Sequence, residues 1–173
     1  MADGRPPFSE GVTFMEKLIK GLEKIQVAVA AVFLLIFLVT IAIQIGTRFA
    51  GIPATWTEDV SMYSFIWAVF MGAAAMVSEK RHFAFTSVMD SLKSDTAKNV
   101  LQIIISFIML FFAILMLVYG TQITKQFWNY TWTNIPSFKR GPTWLCLPIC
   151  GGTSAIYLIY QIYEEFRAFG GKR

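Results

Sequence analysis

The chain has 173 residues, 55% of them hydrophobic and 15% charged, with a net charge of +4. That balance leaves too little polar material for a separate soluble domain. It also argues against nucleic acid as a partner, because the basic residues gather at the ends of apolar runs, where membrane topology places them.

In chain order, residues 1–11 are polar and rich in Gly and Pro, and read as a disordered tail. Over 12–24, Phe14, Leu18, Leu22 and Ile25 recur at helical spacing, while Glu16, Lys17, Lys20, Glu23 and Lys24 fall mostly elsewhere. This pattern predicts an amphipathic helix lying on the inner membrane surface. Four long apolar stretches follow, at 25–47, 57–78, 97–124 and 143–163. Hydrocarbon roughly 30 Å thick needs about 20 apolar residues at helical rise. A spanning segment must also satisfy its own backbone hydrogen bonds, which selects helices over open strands. The expected fold is all-α, a single polytopic membrane domain with four transmembrane helices plus short amphipathic interfacial helices. The first run is too long for a signal-peptide core and no small-residue cleavage site follows it, so it reads as retained.

On span one, Thr40, Gln44, Thr47 and Arg48 share a polar face, and Gln44 is the candidate for an interhelical hydrogen bond. In the turn that follows, Thr55 and Glu58 have the spacing of a capping box for span two. Arg48 and Glu58 lie at similar depth near the outer edge, where ionisable groups are costly unless paired, so a pair is expected. Along span two, Thr57, Ser61, Ser64, Ala68, Gly72, Ala75 and Ser78 advance by three or four. Small residues mark contact faces in membrane helices, and packing inside this chain explains the stripe most simply. Opposite them Tyr63, Ile66, Phe70 and Val77 are large enough to meet lipid or a partner subunit.

His82 is the lone histidine. A single histidine excludes haem held between helices by two of them, and a zinc site lacks ligands, so no cofactor or metal is expected. Residues 83–92 repeat the interfacial pattern with Phe85, Val88, Met89 and Leu92, and Ser94 is placed to cap span three. Span three is longer than the hydrocarbon requires and must tilt or protrude. Pro148 with Gly151 and Gly152 predicts a kink or local unwinding in span four. Cys146 and Cys150, neighbours on one helix, lack the geometry for a disulfide and read as small packing residues. Nothing in the chain forms a nucleophile elbow, phosphate loop or pair of catalytic carboxylates, so it reads as a non-enzyme.

Orientation follows from charge. With the N-terminus inside, eleven Lys and Arg fall on the cytoplasmic side and four outside, which predicts both termini cytoplasmic. Trp56, Trp128, Trp132 and Trp144 then form an outer interfacial belt.

Arg48, then Trp56 and Glu58, Tyr63 and Trp67, Gly72-Ala73-Ala74 and His82 together resemble the signature of small membrane subunits of TRAP transporters, the tripartite ATP-independent periplasmic transporters. Leu145 and Pro148 followed by the glycine pair are similar to that family's fourth helix. The resemblance covers 20–166. Where many members carry a more polar segment after the histidine, this chain has Phe83, Ala84 and Phe85. The resemblance implies a bacterial inner-membrane subunit that binds a large elevator-type membrane subunit. A periplasmic substrate-binding protein and surrounding phospholipids would be its other partners. It implies sodium-coupled import of a carboxylate such as a C4-dicarboxylate or sialic acid, the sialic acid type being favoured. Phe65, Phe70, Tyr63, Phe107, Phe111 and Phe112 would supply lipid- and partner-facing area, and Lys139 and Arg140 would help dock the periplasmic protein by charge steering.

The residues alone point the same way. A carboxylate or sodium site at mid-membrane needs charged, polar or unwound groups there, and this chain supplies almost none, so the carrier function should reside elsewhere. An autonomous four-helix transporter would need an acid within a span, and Glu58 and Asp59 sit too near its end. A membrane anchor for another, haem-free complex stays open as the other alternative.

Overall fold

The computed structural model describes residues 7–78 and 95–170, with side chains over 15–78 and 100–166. Helix α1 runs Pro7–Phe49, α2 Trp56–Ser78, α3 Asp95–Gln126, the short α4 Gly141–Trp144 and α5 Cys146–Gly170. Four segments are long and apolar enough to cross a membrane: Met15–Phe49, Trp56–Ser78, Val100–Gln126 and Gly141–Phe166. Among the described residues the extended pairing is one isolated antiparallel bridge, Thr131 to Lys139. The chain is an all-helical, multi-pass membrane protein.

The first helix corrects the expected N-terminus. Residues 12–24 do not form a separate interfacial helix, and the helix already starts within the expected tail, at Pro7. No proline interrupts the chain between Pro7 and Pro53, so nothing breaks the hydrogen-bond ladder where the amphipathic segment meets the span. At 1.5 Å per residue, 43 residues reach roughly 65 Å, about twice the hydrocarbon thickness, so α1 projects well beyond the membrane. It ends in a Schellman motif. Gly51 adopts φ 72°, Gly51 N–H donates to Arg48 O at 3.2 Å and Ile52 N–H to Thr47 O at 3.0 Å. A side chain at Gly51 would meet the steric penalty of the left-handed region.

The start of α2 differs from the expected capping box. Glu58 N–H donates to the Thr55 carbonyl at 3.2 Å and Thr57 N–H to the Ala54 carbonyl at 3.2 Å, so main-chain turns satisfy these first amides. Thr57 Oγ1 also donates to Ala54 O at 2.6 Å. The Thr55 side chain is exposed.

The fourth span breaks earlier than Pro148. Leu145 separates α4 from α5, one turn before Pro148, whose missing N–H leaves the Trp144 carbonyl without its helical donor; Thr124 Oγ1 donates to that carbonyl at 3.1 Å instead. The glycine pair sits within continuous helix. Gly151 is where α5 meets α3: a Cβ there would come within 2.5 Å of Leu117 N and 2.8 Å of Ala113 O. Across the same seam a Cβ on Gly120 would meet Leu147 Cβ at 2.8 Å. Glycine here permits backbone contact between helices rather than unwinding.

The helices neighbour one another in the order α1, α2, α5, α3. Where α2 crosses α5, Met71, Ala74, Cys146 and Cys150 form a buried cluster, with Val29, Ala30, Trp67 and Leu147 against it. The expected interfacial segment 83–92, His82 and the Ser94 cap lie outside the described residues.

Candidate functional site

Polar contacts collect at the two ends of the bundle, with an apolar wall between them. At the end expected from the charge pattern to be the outer one, Asp59 on the first turns of α2 is 4% exposed and its Oδ2 accepts the Asn134 N–H at 2.6 Å. That bond ties the loop after α3 to α2. Within the loop, Trp132 N–H donates to Phe138 O at 2.9 Å and Arg140 N–H to Tyr130 O at 2.7 Å. Trp132 Nε1 donates to Thr143 Oγ1 at 3.1 Å, and its ring stacks on Phe138 and lies over Tyr63, with centroids 5.3 and 4.7 Å away. The loop is therefore a folded cap.

This cap changes the reading of several side chains. Tyr63 is 4% exposed beneath Trp132, so it does not face lipid as expected. Its neighbours on the loop supply the burial that the α2 pattern alone could not show. Arg140 is half-buried and donates from Nη2 to Thr133 Oγ1 at 2.6 Å, which commits it to holding the cap, while Lys139 is exposed. Trp56 and Trp128 are exposed at this end, whereas Trp132 and Trp144 are half-buried within the protein. Arg48 and Glu58 are both exposed, and among the described residues the ion pair within 4.0 Å is Lys20 with Glu16, so the expected Arg48–Glu58 pair does not form. Both side chains stand on the surface of the bundle, so the protein itself does not desolvate either of them.

At the other end the contacts are interhelical. Gln26 on α1 donates from Nε2 to Thr153 Oγ1 at 2.7 Å, and its Oε1 accepts the Tyr157 hydroxyl at 2.8 Å, both partners on α5. Ser78 Oγ donates to Glu23 Oε2 at 2.7 Å, joining α2 to α1. Gln161 Nε2 donates to Val77 O at 2.8 Å, joining α5 to α2. Gln26 and Gln161, not Gln44, thus carry the interhelical bonding. Sequence reasoning passed over both, although an amide side chain inside a span was the available signal.

Between the ends the small stripe of α2 is turned inward. Thr57, Ser61, Ser64, Ala68 and Ala75 are buried, and a Cβ on Gly72 would stand 3.9 Å from Ala30 Cβ on α1. Phe65, Phe107, Phe111 and Phe112 are exposed, and Phe70 is half-buried beside the central cluster. Cys146 and Cys150 are free thiols, both buried in that cluster. No group of three or more potential metal ligands occurs among the described residues.

Four helices long and apolar enough to cross a membrane, with a tied cap at one end and wide apolar flanks, define the class of multi-pass membrane proteins. Residues 36–168 match the family of tripartite ATP-independent periplasmic transporters, DctQ component. The chain belongs to that family. A similar protein from Haemophilus influenzae, described as a TRAP transporter small permease protein, is 27% identical over 154 residues, covering 88% of this chain and 92% of its relative.

Proposed function

We propose that this chain is the stationary scaffold of its tripartite transporter, holding the large membrane subunit against its exposed flanks while that subunit carries the substrate. One observation supports the reading above the rest: the spans of α1 and α3 are only 6% and 11% buried, yet no acid or base lies near their middle. An apolar flank without charged groups suits lipid or a fixed protein wall and offers nothing to a charged solute. The transported solute is an organic acid, sialic acid or a C4-dicarboxylate, moved with sodium by the large subunit. Lys139, exposed on the folded outer cap, helps steer the periplasmic binding protein toward the complex, with Arg140 shaping the loop that presents it. Both termini lie in the cytoplasm, a reading supported by the basic asymmetry of the loops.

The test is reconstitution in proteoliposomes of this chain alone, of the other two components alone, and of all three. Sodium-dependent uptake is expected only from the full set. Uptake by this chain alone would overturn the scaffold role, and so would undiminished uptake in its absence.

A further inference from the structure

Lipid tails offer no hydrogen bond, so a polar side chain that faces outward inside a span calls for a partner. On α1 no such group occurs. From Ile25 to Ile45 every exposed side chain is apolar, with Gln26 and Thr40 buried and Gln44 half-buried. Helix α3 is different. Its side turned away from α5 carries Ile108, Phe111, Leu115, Tyr119, Gln122 and Gln126, which advance by three or four and so form one line. Ser106, Ala113 and Thr124, on the opposite side, are buried. Gln122 and Gln126 are the exposed side-chain amides on the four described spans, and Tyr119 is 57% exposed. Among the described residues none of these three side chains has a hydrogen-bond partner.

Depth makes the lack of partners costly. Helix α2 has 23 residues, about 34 Å at helical rise and just enough to cross hydrocarbon roughly 30 Å thick, so its ends mark the two membrane faces. Tyr63 lies well along it, about 10 Å below the capped end. Trp132 rests on Tyr63 and bonds Thr143, and Thr124 Oγ1 bonds the neighbouring carbonyl of Trp144 at 3.1 Å, so Thr124 stands near that level. Gln122 is about 3 Å deeper and Tyr119 about 8 Å, which brings both toward the middle of the hydrocarbon. Nor do they reach back to the surface. Side chains on a helix lean toward its N-terminus, and that of α3 is at the end away from the cap.

We infer that this line on α3 is the joint with the large membrane subunit, whose facing helix carries side chains that hydrogen-bond Tyr119, Gln122 and Gln126. Given the scaffold reading, on which this rests, the large subunit meets an exposed flank, and the two amides select α3 while α1 is left to lipid. An amide both donates and accepts, so hydroxyl, amide or carboxyl groups on the partner all match it. Bonds of this kind join polar side chains across membrane helices. From Leu115 toward Ile108 the same line is apolar and supplies packing instead. A second copy of this chain is the competing occupant.

The experiment places the photo-crosslinking residue benzoylphenylalanine at Gln122, and separately at Leu38 on the exposed flank of α1, in the chain expressed with its large membrane subunit. Irradiated membranes are expected to give an adduct of the two subunits from the site on α3 and none from the site on α1. In parallel, Tyr119→Phe combined with Gln122→Leu should weaken retention of the large subunit in detergent about threefold to tenfold, the usual range for interhelical hydrogen bonds. Unfolding of the chain alone should be unchanged, since neither side chain bonds within it. An intact complex with no adduct from Gln122, or with the adduct from Leu38 instead, overturns the inference and leaves the scaffold reading standing. So does an adduct between two copies of this chain, or retention that the double variant leaves undiminished. Failure of the two subunits to co-purify overturns the scaffold reading itself, and the joint with it.

Discussion

The inner pair of helices and the outer pair invert the rule for soluble proteins. Helices α1 and α3 hold the two most apolar spans and are almost bare, whereas α2 and α5 hold the least apolar spans and have 39% of the residues in their apolar stretches buried. In water the most apolar helix would be the core. In a bilayer, lipid tails satisfy Leu35, Leu38, Phe111 and Phe112 as well as protein does, so burial goes to surfaces that gain from backbone proximity or hydrogen bonding. Ser61, Ser64, Ala74 and Ala75 on α2, and Gly151 and Ser154 on α5, are such surfaces.

The sharpest way to break that contrast is with glycine. Gly151→Val should be the most damaging single change in the described bundle, since even its Cβ would stand 2.5 Å from the α3 backbone, and backbone cannot swing aside. Gly151→Ala should cost at least about 1–3 kcal/mol, the usual range for an overpacked methylene or two, with Gly151→Val beyond that. Gly46→Ala on bare α1 has nothing within 4 Å and should be neutral or slightly stabilising. Unfolding in mixed micelles measures both. Equal stability of the two alanine variants would refute the division into core and flank helices.

A smaller effect is expected at the outer cap. Asp59→Ala removes the acceptor for the Asn134 N–H and should cost about 1.5–3 kcal/mol, the range for a bond to a charged group. Because the bond joins a loop to α2, the loss should be local. Amide exchange should quicken over 127–140 while the central cluster at Met71 and Cys150 stays protected. Unchanged exchange in the loop would show that the aromatic stack of Tyr63, Trp132 and Phe138 holds the cap unaided.

The membrane spans were legible because their physical demand, length and apolarity, is written residue by residue. The stripe of small side chains was legible for a related reason, since a repeat of three or four on a helix is one face. The cap was not. Tyr63 reads as an outward aromatic from its position on α2, and only the return of the loop across it, fixed by Asp59 and Asn134, turns it inward. Asp59 itself was dismissed as a terminal acid. A contact between residues 75 positions apart leaves no periodic trace in either segment. Likewise Gly151 was taken as a helix breaker, since its sequence neighbours do not reveal that another helix backbone lies against it.

The smallest expected effect concerns Arg48 and Glu58, and it tests the flank side of the contrast. Both charges stand exposed at the outer edge without an ion pair between them, so neither depends on the other for burial. Exposed pairs that do touch usually contribute 0.2–1 kcal/mol, so a double-mutant cycle with Arg48→Ala and Glu58→Ala should return a coupling below about 0.5 kcal/mol. The Schellman bonds of Gly51 and Ile52 and the main-chain bonds of Thr57 and Glu58 survive both substitutions, which keeps the turn in place while the charges are removed. A coupling of 1 kcal/mol or more for the chain in detergent would restore the direct pair. The same coupling found only when the large subunit is present would instead place the two charges at the edge of the joint between subunits, where the partner excludes the water that screens them.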